Sequence, residues 1–329
     1  MDTNSTISLL KAYSREKHLV LLENNIDLSN SRLSCIQPIM SELWVNDENK
    51  VPYVAKTHLL DSYYCLPERP DMAFTHLWKA INNAYNNYYL KQVHGSQSCM
   101  SMSDSKSLDK IIEHISNNLG RGFEVDGEIK TIKCILDLYY KEIPIKTLNF
   151  VSSYILKGIA IESHNAPIIY ASSSYRSFKK KFGKIYQIIK STYGFKYQEI
   201  CSPCVSSCKT VIDYSISDGE KSRKLVHSLS GSLKEALVNG CVNLDDGSSI
   251  SFDTEKERLE FVLLCILYSV RNNNSHGNVA SRMNSVYANK DSFKAAEYVY
   301  LLGHMFLSLI MYKNQDIEID DLRINFQNI

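Results

Sequence analysis

The sequence carries almost no excess of charge: 37 Lys and Arg stand against 36 Asp and Glu, a formal net charge of +1. Strong global attraction to nucleic acid is thereby excluded, and any RNA binding has to come from a local patch. Long hydrophobic runs are missing too. The best stretches, near 259–270 and 299–312, are shorter than the roughly 18 apolar residues that suggest a membrane span, and they are interrupted. Met1-Asp2-Thr3-Asn4-Ser5-Thr6 has neither the basic start nor the apolar stretch of a signal peptide, so a cytoplasmic location with no membrane partner is expected. There is no internal repeat. Period-2 strand patterns are few, with Pro167–Tyr170 and Thr210–Tyr214 the candidates.

The nine cysteines form no obvious framework, since an odd number in a chain without an export signal argues for reduced thiols. Cys35, Cys65, Cys99, Cys134 and Cys265 read as isolated packing residues. Cys201-Ser-Pro-Cys204-Val-Ser-Ser-Cys208 is different, because three thiols in so short a stretch can converge on zinc, with Cys241 or His227 as the fourth donor. Ordinary turn cysteines are the alternative. Without a second paired cluster, and with no ligand spacing among the carboxylates that demands an ion, we assign neither a metal nor a cofactor.

What is present is the composition of a globular protein, 44% hydrophobic and 22% charged, with room for one large or two ordinary domains. Helical periodicity dominates. Pro67 and Pro70 introduce a helix from about Asp71 in which Phe74, Leu77, Trp78, Ile81, Tyr85 and Tyr88 share one face and read as core. Helical patterns follow at 108–119, 128–141 and 146–162, after a serine-rich loop at 95–107. The fold class expected is mainly α.

One segment concentrates positive charge. Between Tyr175 and Gln198 stand Arg176, Lys179, Lys180, Lys181, Lys184, Lys190 and Lys196 with no acidic residue, interleaved with Phe178, Phe182, Tyr186, Tyr193, Phe195 and Tyr197. Lysines of this kind can hold phosphates while aromatics stack unpaired bases, which makes Lys179, Lys180, Lys181 and Lys184 the candidate RNA-binding residues. The alternative is an amphipathic helix whose aromatics face the core and whose lysines are solvated.

The most informative stretch is Tyr268-Ser-Val-Arg271-Asn272-Asn-Asn-Ser-His276-Gly277-Asn278. Upstream, Thr254 and Glu257 offer a capping box, and Leu259 to Val270 is nearly continuous apolar sequence that reads as a buried helix. Arg271 is placed in its last turn, the Asn run favours leaving the helix, and Gly277 suits a positive φ or a close backbone approach. Downstream, Ala295, Ala296, Val299, Leu302, Met305, Phe306 and Leu309 recur at helical spacing. Arg271 and His276 are thus expected at a helix-to-helix junction. Arginine offers a permanent charge in a planar fork suited to phosphate, and histidine moves its proton near neutral pH. Ordinary helix termination, with the arginine on the last carbonyls, explains the same residues without chemistry.

The string VRNNNSHGN between two apolar helices resembles the signature of the HEPN superfamily, and Asp71-Met-Ala-Phe74-Thr-His-Leu77-Trp78-Lys-Ala80-Ile81-Asn82-Asn-Ala-Tyr85 is similar to the aromatic opening helix of its larger members in bacterial toxin and anti-phage defence systems. Between these anchors, roughly 90–250, there is no resemblance. The likeness implies a HEPN-like helical domain over 51–315 carrying a 90–250 insertion, an N-terminal extension at 1–50 and a tail at 316–329. It also implies a metal-independent endoribonuclease, an abortive-infection effector or toxin, acting on RNA as a homodimer with an antitoxin or sensor protein as a further partner. His276 would transfer protons, Arg271 would stabilise the phosphorane, and Asn272 would position it. A non-catalytic HEPN-like protein that binds RNA, nucleotide or a partner is the alternative.

Overall fold

The computed structural model describes residues 7–8, 10–93, 103–205, 212–276 and 289–329. In chain order its first elements are α1 (Arg15–Glu23), α2 (Tyr53–Tyr64), α3 (Pro70–Val93), α4 (Asp104–Ser116), β1 (Gly122–Val125), β2 (Glu128–Thr131), α5 (Ile132–Glu142) and α6 (Ile145–Ser163). There follow α7 (Ser173–Lys181), α8 (Gly183–Ile189), β3 (Cys201–Cys204), β4 (Asp213–Ile216), α9 (Gly219–Asn239), β5 (Cys241–Asn243), β6 (Ser249–Ser251), α10 (255–276) and α11 (Lys290–Lys313). The fold is mainly α-helical, and among the described residues the strands form three two-stranded antiparallel hairpins. The chain divides into two compact units, Met1–Ile135 with Val279–Ile329, and Leu136–Asn278.

The first unit is built on α11, whose residues from Tyr298 to Met311 are all buried, the mark of a helix that is apolar on every side and therefore central. It is long and apolar enough to cross a membrane, but 78% of its most apolar window is buried. Helix α3 lies along it and buries Phe74, Leu77, Trp78, Ile81, Tyr85 and Tyr88, the face read from periodicity. Their approach is close because Gly303 has no side chain: a Cβ there would stand 3.0 Å from Leu77 Cδ2 and 3.2 Å from Phe74 Cε2.

The segments expected as an extension and a tail are fastened to the same core. Leu22 and Ile26 pack with Phe293, and the Ser31 hydroxyl and the Arg32 N–H both donate to Glu297, at 2.7 and 2.9 Å. Trp44 Nε1 donates to the Asp316 carbonyl at 2.6 Å, and Asn328 exchanges two hydrogen bonds with the Gln37 backbone.

Several local expectations are corrected. The 128–141 stretch is not one helix: Asp126 and Gly127, with φ of 51° and 80°, turn β1 into β2, and α5 begins only at Ile132. Asp-Gly with two positive φ values is the two-residue turn that fits hairpin twist. Helix α4 starts inside the expected loop because Ser103 caps it by accepting the Lys106 N–H. Ile168–Tyr170 is a 3-10 turn rather than a strand, whereas the Thr210–Tyr214 candidate overlaps β4, its first two residues lying outside those described.

In the second unit α6 packs on α9, and the Ser230 hydroxyl donates to that of Ser152 at 2.9 Å inside the contact. A cluster of Phe178, Phe182, Phe252 and Phe261 gathers α7, the β6 end and α10, with ring centroids 5.2 to 6.4 Å apart. Each such buried ring contributes about 2 kcal/mol through area removed from water, with edge-to-face geometry adding to it.

Candidate active site

The helix that carries the Arg-His motif begins as the sequence indicates. Thr254 accepts the Glu257 N–H at 3.1 Å, and the Glu257 carboxylate accepts the Asp253 N–H at 2.7 Å, a reciprocal cap displaced by one residue from the standard box. Arg258 is buried beside it, donating to the Leu237 carbonyl at 2.9 Å and to Glu255, with its guanidinium over the Tyr140 ring. Leu259, Phe261, Val262, Leu263, Cys265, Ile266 and Leu267 are all buried.

Within that apolar run the helix changes character. Phe261–Leu267 is π-helical, and the Tyr154 hydroxyl of α6 donates to the Cys265 carbonyl at 3.2 Å. Ser269, buried, donates to Leu264 O at 3.1 Å. A residue accommodated in a wide turn advances everything after it by about 100° around the axis, so the face on which Arg271 emerges is set by this segment. Burial pushes the Cys265 thiol up to about 12, which leaves it a packing residue and not a nucleophile.

Contrary to expectation, the helix does not end at Arg271. It runs through the Asn residues to His276, because each Asn costs only a few tenths of a kcal/mol against propagation from a buried upstream helix. Arg271 is half-exposed, its Nη1 donates to Asn272 Oδ1 at 3.0 Å, and its guanidinium lies 5.5 Å from the Tyr268 ring centroid. His276 is the last described residue of this helix. On one helix, positions 271 and 276 stand about 7.5 Å apart along the axis and about 140° apart around it. Gly277 lies outside the described residues, as do the side chain of His276 and Cys208. The motif and the aromatic helix α3 fall in different units, although the resemblance expected them in one domain.

The basic segment lies beside this helix. Helix α7 packs on both the π-helical segment and the Tyr268–His276 stretch. Its aromatics are core: Phe178, Phe182 and Tyr186 are buried, as are Tyr193 and Tyr197, while Phe195 remains 51% exposed. Three of the four candidate lysines are engaged with carboxylates. Lys179 donates to both oxygens of Glu162 at 2.7 and 2.9 Å, Lys181 reaches Glu260 at 3.3 Å, and Lys184 reaches Asp253 at 2.7 Å. Burial would raise the Glu162 carboxyl, but hydrogen bonds from Lys179 and Tyr186 outweigh it and hold the group below its usual range. Lys180 is exposed. The segment therefore offers cations but few exposed aromatic rings on which bases could stack.

Cys201 and Cys204 sit three positions apart on β3, where alternation sends them to opposite faces; Cys201 is buried and Cys204 exposed. Among the described residues no group of three or more His, Cys, Asp or Glu is placed to hold a metal ion.

No family model, curated protein or solved structure matches the chain. The molecule is a two-unit, mainly helical protein in which the helix that carries Arg271 is flanked by a lysine-rich helix.

Proposed function

We propose that the protein is an endoribonuclease of HEPN type, cytoplasmic and acting as a toxin or anti-phage effector. His276 removes the 2′-hydroxyl proton, O2′ attacks phosphorus, Arg271 stabilises the phosphorane, and the P–O5′ bond breaks as the leaving oxygen takes up a proton. The products are a 2′,3′-cyclic phosphate and a 5′-hydroxyl. RNA supplies its own nucleophile, so the reading calls for no metal.

The observation that carries it is the Arg271 guanidinium, half-exposed on a helix that runs on to His276, oriented by Asn272 and Tyr268, with the lysine-rich α7 packed alongside. The angular separation of positions 271 and 276 makes one chain a poor source of both groups for a single phosphate. A symmetric pair of copies supplies two arginines and two histidines, and the reading therefore includes a homodimer. The same separation, together with the division of the two resembling segments between units, favours the second reading: a non-catalytic protein that binds RNA, nucleotide or a partner such as an antitoxin or sensor.

Expression separates the two. Cells producing the wild-type chain should stop growing and lose intact bulk RNA, and cells producing His276→Ala should do neither. Equal growth and intact RNA in both would favour the binding protein.

A further inference from the structure

Helix α2 of the first unit lacks the polar outer face of an ordinary surface helix. Its inner side carries the buried Ala55, Leu59 and Ser62, and the helix packs on α3. Its outer side carries Tyr53, Thr57, Leu60 and Tyr64, all exposed, the two tyrosines by 73% and 89% and Leu60 by 58%. At 100° per residue these four positions fall within about 60° of one another, a straight stripe along the whole helix. Val54, also exposed, widens it on one side. Single apolar side chains on a surface need no explanation, but an aligned set does, because a helix that is apolar on opposite sides calls for cover on both.

The stripe carries no charge. Thr57, its one non-aromatic polar member, turns its hydroxyl back onto the Val54 carbonyl at 2.9 Å, so that group is already satisfied. Lys56 and Asp61 stand about 70° to either side, where they would form a polar rim. Tyr53, Val54, Leu60 and Tyr64 together present roughly 500 Å² of mostly apolar surface. Two such faces would remove about 1,000 Å² from water, the size at which a specific interface begins.

The spacing identifies the occupant. Intervals of four, three and four residues read the same in both directions along the helix. In an antiparallel pair about a two-fold axis, Tyr53 therefore meets the partner's Tyr64, and Leu60 meets the partner's Thr57, each contact occurring twice. A two-fold contact sets a patch against itself, so a charged stripe would repel its own copy and an uncharged one does not.

We propose that the outer face of α2 binds a second copy of this chain, helix against helix and antiparallel. The surface does not rest on the ribonuclease reading, since none of its residues takes part in the Arg271 chemistry.

Sedimentation of the full chain over a concentration series tests this. Wild type is expected to dimerise, and Leu60→Glu and Tyr64→Glu should each raise the dimer dissociation constant at least about a hundredfold, because the two-fold axis counts each change twice. Both side chains are exposed, and circular dichroism checks that the variants fold. Adding Tyr53→Lys to Tyr64→Glu should restore part of the affinity, since an antiparallel pair sets the introduced lysine against the partner's introduced glutamate. Ile129→Ser, on β2 and 73% exposed, should leave the dimer unchanged. A wild-type chain that stays monomeric at about 100 μM, weaker than an interface of this area should be, would overturn the proposal. So would wild-type affinity in folded Leu60→Glu and Tyr64→Glu proteins, or a double variant that dimerises more weakly than Tyr64→Glu alone. Sedimentation reads assembly and not cleavage, so an inactive chain that dimerises through α2 would end the ribonuclease reading and keep this one.

Discussion

The Tyr154 hydroxyl donates to the Cys265 carbonyl at 3.2 Å, fastening α6 to the π-helical segment of α10 one and a half turns before Arg271. The bond uses a carbonyl within a segment that departs from the α-helical pattern, and so supports the register in which the arginine emerges. Tyr154→Phe keeps the ring and removes the bond. Stability should fall by about 1 kcal/mol, and RNA cleavage should fall by more than the folded fraction. Urea unfolding beside a cleavage assay on the same preparation separates the two, and a cleavage loss no larger than the loss of folded protein would deny Tyr154 any positioning role.

His304 gives a pH dependence whose sign is fixed. It is fully buried in α11, its Nε2 accepts from the Tyr63 hydroxyl at 2.9 Å, and its Nδ1 has no hydrogen-bond partner among the described residues. Burial lowers it from 6.5 to about 3. Between those values the unfolded chain takes up a proton that the folded chain refuses, so this stability is present above pH 6.5 and is lost as pH falls toward 3. The slope is about 1.4 kcal/mol per pH unit at most. Unfolding free energy measured from pH 7 to pH 4.5 should decline less steeply in His304→Leu, and parallel curves would remove His304 from the account.

Glycine substitutions should split by position. A Cβ at Gly158 would stand 2.3 Å from the ring of the buried Tyr175, so Gly158→Ala should cost about 1–3 kcal/mol by overpacking. Gly231, within α9, has nothing outside its own helical turns within 4 Å of such a Cβ among the described residues, and Gly231→Ala should stabilise by about 0.5–1 kcal/mol. Thermal unfolding of the two variants decides it; shifts of the same sign would contradict the packing described.

The lysines of α7 and its C-terminal neighbour should divide between structure and RNA. Removing Lys179 leaves Glu162 without its cation and should cost about 1 kcal/mol while changing RNA affinity little. Lys180→Glu should leave stability unchanged and lower the salt slope of RNA binding by about 1. An unchanged slope in Lys180→Glu would return the segment to a solvated helix face.

The buried face of α3 was legible because Phe74, Leu77, Trp78, Ile81, Tyr85 and Tyr88 repeat at helical spacing over a long element. The β1–β2 hairpin was signalled by Asp126-Gly127, but Ile129, Ile132, Ile135 and Leu136 also fit a helix, and the apolar period masked the turn. At the candidate site, the cap at Thr254 was readable from local sequence. The continuation of α10 to His276 was not, since local Asn signals lose to propagation from a buried helix. The π-helical segment and its bond to Tyr154 have no local mark, because the partner lies 111 residues away.

A shared site predicts complementation. Mixed dimers of His276→Ala and Arg271→Ala subunits contain one intact histidine and one intact arginine from different chains, and should recover part of the cleavage that each parent lacks. Wild-type activity should also fall on dilution below the dimer dissociation constant. A monomer by sedimentation with full specific activity would rule out the composite site.

The central claim is that Arg271 and His276 cut RNA. Its most direct test is incubation of the purified full chain with RNA in excess chelator, followed by analysis of the ends. The account predicts 2′,3′-cyclic phosphate ends from wild type and at least about a hundredfold slower cleavage by His276→Ala, Arg271→Ala and Arg271→Lys, the last because lysine keeps the charge but loses the fork. Wild-type rates in the His276→Ala or Arg271→Ala protein would contradict it.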